Sequence, residues 1–382
     1  MSRWSEADRD FMEEALRLAA RAGWRTHPNP MVGAIVVRAN RVVGRGYHRR
    51  PGGPHAEVLA LHEAGEKARG AILFVTLEPC CHFGKTPPCT DAVLSAGVSR
   101  VVVAMKDPNP LVAGRGIGIL RRKKVQVDVG LLGDRARGLN EAFCRRVRDA
   151  RPWVILKSAI SLDGKIATAG GDSRWITSRQ SRAHAHRLRS RVDAIVVGIG
   201  TVLADDPRLT ARPKGGGGKN RDPLRVILDG RVRIPLKAKA LNRQSAAGII
   251  VAATEKADAR RVRALRARGV DVWVLPSRRG GVSVKRLLAE LARREVTTLL
   301  VEGGGQVAGS FLREGCVDRV AFYVAPLLVG GEDAPGALRG KGAAKLGDAW
   351  SLSDVKVTPL GPDLLVEGYV GSRKQARTGE GA

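Results

Sequence analysis

The chain has 382 residues, 43% hydrophobic and 27% charged, which is room for two to three domains of about 150 residues with packed cores, and excludes a largely disordered chain. Its 46 glycines and 19 prolines follow no period, which excludes collagen. Lys and Arg exceed Asp and Glu by 66 to 37, a net +29 smeared along the chain as +10 over residues 1–150 and +19 beyond; with no basic tail or aromatic-interleaved patch this reads as an Arg-rich surface, and neither nucleic acid nor a membrane is expected as partner.

The first residues, MSRWSEADRD, mix charges and lack the apolar stretch of a secretory signal. No segment approaches the roughly 18 apolar residues of a membrane helix, so the expected location is the cytoplasm. Apolar positions at Ala7, Phe11, Ala15, Leu18 and Ala22 make a helical stripe over 6–22, and Ser5 with Asp8 suggests a capping box. MVGAIVV (31–37) and RVVGRGY (41–47) read as a strand pair turning at Ala39–Asn40. A helix over 55–66, ended by Gly65 or Gly70, a strand over 71–77, a helix over 88–96 and a strand over 100–105 follow. A helix near 115–121 and a strand at 125–129 complete an α/β alternation.

The polar, helix-like run over 138–152 ends at Arg151-Pro152 and marks a boundary, giving expected domains 1–146 and 147–372 and a disordered tail at 373–382. Beyond it, strands are expected over 153–160, 194–200, 224–229, 246–252, 270–275, 298–303 and 319–328. Helices are expected over 178–191, 257–268 and 284–294, and a glycine-rich loop over 214–220.

Five cysteines, an odd count in a cytosolic chain, argue against a disulfide framework. Three of them, Cys80, Cys81 and Cys89, fall within ten residues. His55, Cys80 and Cys89 supply one imidazole and two thiolates, a three-ligand zinc site with the open position that hydrolysis needs. Glu57, two residues from His55, can take a proton from water and pass it to a leaving amine. Nucleobase deaminases use such a set as H-x-E followed by P-C-x-x-C, but here eight residues separate the cysteines. A structural zinc would want a fourth protein ligand, with Cys81 or His82 nearest, and a redox pair is the other alternative. Cys144 and Cys316 read as ordinary cysteines.

HPNPMVGAIVV (27–37), GRGYH (44–48), PHAE (54–57), TLEPCCHFGKTPPCTDA (76–92) and DPNPLVAGRG (107–116) resemble the bacterial bifunctional riboflavin-biosynthesis deaminase–reductases, in which the eight-residue gap is the norm. The resemblance continues through LKSAISLDGKIA (156–167), GDSRWITS (171–178), TVLADDPRLTAR (201–212), VEGGGQVAGSFL (301–312) and APLLVGG (325–331), about 370 residues in all. Family members usually carry Ser where this chain has Cys81. The resemblance implies an α/β fold: a cytidine-deaminase-like domain with a mixed sheet and flanking helices, then a dihydrofolate-reductase-like α/β domain. It implies removal of the 2-amino group of 2,5-diamino-6-ribosylamino-4(3H)-pyrimidinone 5′-phosphate, then NADPH reduction of the ribosyl group to ribityl. The cofactors would be Zn2+ and NADPH, and family members are often homo-oligomers.

Carried over residue by residue, the match implies that Asn29, His82 and Lys85 recognise the deaminase substrate, and leaves His48 and His62 weaker claims. Ala159, Trp175, Thr201, Asp205 and the segment Gly304, Gly305, Gln306, Val307, Ala308, Gly309 and Ser310 would bind NADPH. Ser173, Arg189, Leu209, Arg212 and Glu302 would contact the reductase substrate, the two arginines suiting its phosphate. Lys157, a polar end on an apolar strand, would act beside the reacting ribose. Two rivals remain: a tRNA-type nucleic-acid deaminase, which leaves the second half without a purpose, and a zinc-stabilised binding module without catalysis.

Overall fold

Ser5 caps helix α1 (Glu6–Ala20) through the reciprocal bonds of a capping box with Asp8 in the computed structural model, which describes residues 4–84, 86–212, 221–243 and 245–371. The glycine-rich loop and the tail expected from the sequence, and Lys85, lie outside the described residues. Ala39 and Asn40 both have positive φ, 48° and 58°, which matches the right-handed twist of a two-residue hairpin between β1 (Gly33–Arg38) and β2 (Arg41–Tyr47). Helix α2 (Ala56–Ala64) stops at Gly65, φ 52°. Strand β3 (Ile72–Val75), helix α3 (Cys89–Ser95), strand β4 (Arg100–Val103), helix α4 (Arg115–Arg122) and strand β5 (Gln126–Val129) follow. The mixed sheet runs β2-β1-β3-β4-β5, parallel only between β3, β4 and β5.

Gly46 fixes where α2 lies. A Cβ there would stand 2.1 Å from the Ala56 carbonyl oxygen, so only glycine lets the helix start rest directly on β2. His55 is the N-cap of this helix and Glu57 lies in its first turn, so this close approach places both at one end of the sheet.

The helix-like run expected over 138–152 is helical as α6 (Glu141–Asp149), and a helix not expected from the sequence, α5 (Gly133–Leu139), precedes it. Buried Asn140 separates the two: its side chain accepts from Met31 N at 2.8 Å and donates to Met31 O at 3.0 Å, and this tertiary bond outweighs continuing the helix. The chain divides into two compact units, Met1–Arg151 and Pro152–Ala382.

The second unit opens with β6 (Trp153–Ser161), α7 (Arg179–Arg189), β7 (Ala194–Gly198), α8 (Ile199–Asp205), β8 (Leu224–Leu228) and β9 (Ile249–Ala253). It continues with α9 (Ala259–Ala267), β10 (Asp271–Val274), the short pair β11 (Ser277–Arg278) and β12 (Gly281–Val282), α10 (Val284–Arg293), β13 (Thr298–Val301), α11 (Gly305–Arg313) and β14 (Arg319–Ala325). A closing hairpin, β15 (Leu352–Leu360) and β16 (Asp363–Val370), was not expected from the sequence; β15 is largely exposed, Leu352, Val355 and Val357 included. The nine-stranded sheet runs β10-β9-β8-β7-β13-β6-β14-β16-β15 and is parallel except at β16. Its central strands are buried along their length, as a sheet covered on both faces requires. The strand expected over 194–200 ends at Gly198, where α8 begins.

Several of the arginines are built into this architecture. Arg225 in β8 is fully buried and donates to the carbonyls of Ala240, Asn242 and Ala247 at 2.7–3.0 Å. Arg261 reaches the carbonyls of Val232 and Ile234, Arg268 that of Leu236, and Arg313 that of Arg339. These guanidiniums close loops by satisfying main-chain acceptors and need no carboxylate partner. No helix among the described residues is long and apolar enough to cross a membrane.

Candidate active sites

In the first unit, His55 at the start of α2, Cys80 after β3 and Cys89 at the start of α3 bring their donor atoms within 4.8 Å of one another. His55 Nδ1 lies 3.1 Å from Cys89 Sγ and 3.5 Å from Cys80 Sγ. A tetrahedral zinc with bonds of about 2.0–2.3 Å sets its donors roughly 3.3–3.8 Å apart, so this set fits one. Cys80 Sγ accepts the side chain of Cys89, its main-chain N–H at 3.3 Å and the ring of His55, which holds its thiol down at about 4 and supplies a thiolate. Cys89, the donor of the sulfur pair, shifts the other way. Thr86 Oγ1 lies 3.3 Å from His55 Nε2, an outer partner that fixes the ring and leaves Nδ1 for the metal. Thr86 had no distinguishing signal in the sequence.

Glu57 is buried, and desolvation pushes its carboxyl up to about 7. A carboxyl near that value can both accept and release a proton at neutral pH. Cys81 is not part of the donor cluster; its Sγ lies 3.9 Å from the Leu111 carbonyl. His62 is exposed.

Asn29 Nδ2 sits 3.1 Å from His48 Nε2, and His48 Nδ1 is 3.1 Å from the Pro54 carbonyl. A carbonyl only accepts, so His48 carries its proton on Nδ1, and Nε2 accepts from the Asn29 amide. His48 is buried, and its ring meets that of His55 edge-on at 5.3 Å. The GRGYH motif thus places His48 closer to the metal cluster than its weaker claim suggested. His82 Nδ1 is buried with no hydrogen-bond partner among the described residues, a donor or acceptor waiting for one.

In the second unit, Glu302, just after β13, receives both arms of Arg189 from α7, Nε–Oε1 at 2.8 Å and Nη2–Oε2 at 2.7 Å. Lys157 Nζ on β6 approaches Glu302 Oε2 at 3.7 Å and lies 5.5 Å from the Tyr323 ring centroid. Burial pushes the Glu302 carboxyl up, but Arg189 and Lys157 outweigh it and hold the group near 2. Burial also lowers Lys157, with Glu302 opposing. Tyr323 Oη is bonded to His184 Nδ1 at 2.8 Å. His186, one turn before Arg189, is driven down to about 4 by desolvation and by the charges of Arg189 and Arg212. Tyr323 and His186 were not singled out from the sequence; His186 lies three residues before Arg189 on a helix, a spacing that shares a face.

Thr201 Oγ1 accepts from Gly304 N at 3.1 Å, at the start of α11. A Cβ on Gly305 would stand 2.4 Å from Gly336 O and one on Gly309 2.1 Å from Arg339 O, so these glycines pack α11 onto its neighbour. Ala308 is likewise buried, whereas Gln306 is exposed and Val307 half-buried. What this segment offers a phosphate is the N–H groups of its first turn. Ser310 Oγ donates to Gln306 O. Ser173 bonds Asp205 at 3.3 Å, and Trp175 is exposed with the Arg182 guanidinium 4.4 Å from its ring centroid. Ala159 pairs in register with Tyr323. Leu209 has φ 55° and a fully buried side chain, so only its main chain can meet a ligand. Arg212 is exposed.

Residues 5–105 match the cytidine and deoxycytidylate deaminase zinc-binding region, and residues 152–366 match the RibD C-terminal domain. The riboflavin biosynthesis protein RibD of Aquifex aeolicus is 45% identical over 94% of this chain and 98% of its own length. That of Escherichia coli is 40% identical over 94% and 98%. The solved Acinetobacter baumannii RibD covers 96% of this chain and 99% of its own at TM-score 0.85 and 36% identity. A Thermotoga maritima diaminohydroxyphosphoribosylaminopyrimidine deaminase/5-amino-6-(5-phosphoribosylamino)uracil reductase aligns at TM-score 0.80 and 35% identity over 95% and 98%.

Proposed function

The chain belongs to the RibD family, the bifunctional deaminase–reductases of riboflavin biosynthesis, and we propose that its two units divide the reactions between the residues described above. The observation that carries the first half is the cluster of His55, Cys80 and Cys89 with buried Glu57 beside it. These three donors would hold zinc, which when bound supplies a Lewis acid that makes water a nucleophile near neutral pH. Glu57 takes a proton from water and delivers it to the departing nitrogen. The balance is water in, ammonia out: a C–O bond forms at C2 of the pyrimidine and the C2–N bond breaks. Asn29, whose amide bonds His48, is assigned to the pyrimidine ring edge through its amide oxygen and remaining N–H, and His82, whose buried Nδ1 has no partner among the described residues, is assigned to the same substrate. Lys85 is assigned to its phosphate on the family match alone.

In the second unit NADPH supplies a hydride when bound. A C–H bond forms at C1′ of the ribose, the C1′–O4′ bond breaks, and the ring oxygen takes a proton. Lys157 is assigned to give that proton; its burial, which makes the ammonium easier to deprotonate, and its approach to Glu302 at 3.7 Å support this reading. Arg212 supplies cationic charge for the substrate phosphate, with Ser173 and the main chain of Leu209 beside it, whereas Arg189, whose fork is taken up by Glu302, serves the substrate through that pair and not as a phosphate fork. The first turn of α11, with Thr201, Trp175, Asp205 and Ala159, is assigned to NADPH. Substrate and cofactor are both anions, drawn by the chain's charge; nucleic acid has no role in this scheme, the cytoplasm is its setting, and association with further copies is compatible with it.

Stripping the metal with a chelator tests the division. Ammonia release is expected to stop and to return with zinc, while NADPH oxidation on the deaminated intermediate continues. Ammonia release that persists in metal-free protein would refute the zinc assignment.

A further inference from the structure

Glu78 lies two residues before the zinc ligand Cys80 and is 3% exposed. Its carboxylate accepts three main-chain N–H groups from a distant stretch of chain. Oε2 takes Asp107 N at 3.2 Å and Gly114 N at 2.9 Å, and Oε1 takes Ile117 N at 3.1 Å. Gly114 is the N-cap of α4, has φ 90° and offers no capping side chain, so two of these donors are orphans of the helix start. A carboxylate at that end also meets the positive pole of the helix.

The same joint is closed from the other side. A Cβ on Gly116 would stand 2.2 Å from the Pro79 carbonyl oxygen and 3.3 Å from Glu78 Oε1. The first turn of α4 therefore rests directly on the Pro79 peptide, the link that leads into Cys80. Beyond Cys80 the chain is held by α3, with Thr90 N donating to Cys80 O at 3.1 Å and Cys89 N to Cys80 Sγ at 3.3 Å. The Pro79–Cys80 turn is thus fastened between two helix starts. Removing one fastening frees the Cα–Cβ direction of a metal ligand, although Glu78 touches neither metal nor substrate.

We propose that Glu78 is a positioning residue for the deaminase: by binding the 107–117 segment it aims Cys80 at the metal. This rests on the zinc reading above. Outer partners of metal ligands are worth roughly 10–100-fold in metal affinity. Glu78→Gln keeps the shape but sets an NH2 group against main-chain donors.

The test uses the full chain, wild type and Glu78→Gln, loaded with zinc or cobalt(II). Zinc release to a chromophoric chelator and the cobalt absorption bands report the metal geometry directly. Ammonia release gives kcat and KM, NADPH oxidation controls for the second unit, and circular dichroism controls for folding. The variant is expected to release zinc at least 10-fold faster, with altered cobalt bands, lower deaminase kcat and unchanged reduction. If Glu78→Gln loses its folded spectrum, Glu78→Asp, which keeps the charge but is one methylene short, takes its place with the same expectation. A folded variant that melts earlier but keeps wild-type zinc release and cobalt bands would show Glu78 to be structural only and overturn the proposal. Wild-type protein that holds no zinc would instead overturn the reading beneath it.

Discussion

Arg189 grips both oxygens of Glu302, at 2.8 and 2.7 Å, from helix α7 on one side and the end of β13 on the other. Glu302 is 7% exposed and shares a second cation, Lys157. The pair is therefore a structural tie and, under the proposed function, the electrostatic floor of the site assigned to reduction. Glu302→Gln leaves Arg189 and Lys157 without their anion, which for a buried pair costs about 3–5 kcal/mol. The second unit is expected to unfold at lower urea, and NADPH oxidation to fall steeply, while ammonia release persists. Steady-state assays of both reactions, beside a urea titration, check this.

Glu57→Gln separates the reactions the other way. The amide retains the volume and leaves the three metal donors in place, but it cannot carry a proton. Loss of a general acid–base is worth about 10²–10⁴-fold. Ammonia release is expected to fall by that factor with zinc content unchanged, and reduction of the deaminated intermediate to be unaffected. Equal loss of zinc and activity would mean that Glu57 supports the ligands.

His186 gives a pH signature. Its folded pKa is depressed from 6.5 to about 4 by burial and by Arg189 and Arg212. The unfolded chain therefore binds more protons between these values, so the stabilisation is fully present above about 6.5 and is lost as pH falls through 4. His186→Gln is expected to flatten the fall in urea midpoint between pH 7 and pH 4 relative to wild type. Parallel slopes would show that His186 does not titrate this way.

Arg225 serves the main chain, and removing it is expected to cost stability. Arg225→Leu would strip its bonds from the carbonyls of Ala240, Asn242 and Ala247 in a buried setting. Each carbonyl left unsatisfied costs about 1–3 kcal/mol. A loss of at least 2 kcal/mol in the second unit is expected, read from its urea transition.

The sequence was most legible where local chemistry repeats itself. The Ser5 capping box, the Ala39–Asn40 turn and the buried central strands each follow from short-range rules. The donor set His55, Cys80 and Cys89 was legible because thiols and imidazole at such spacing have few other uses. Relations across long sequence separations were not. Nothing near Asn140 says that Met31, 109 residues away, binds its side chain, so the start of α6 at Glu141 and the separate α5 before it were not legible. Glu78 carries no local signal of its role, because the amides that surround it, those of Asp107, Gly114 and Ile117, lie 29, 36 and 39 residues away. In the β15–β16 hairpin the alternating Val355 and Val357 stay exposed, so β15 is fixed by its pairing with β16 and not by a buried face.

One chain is expected to perform both steps in a fixed order. Zinc-loaded protein is mixed with 2,5-diamino-6-ribosylamino-4(3H)-pyrimidinone 5′-phosphate while ammonia is followed, and NADPH is added afterwards. One ammonia per substrate before NADPH, then one NADPH oxidised per ammonia released, is the expected result. NADPH oxidation without prior ammonia, or no ammonia from zinc-replete protein, would contradict it.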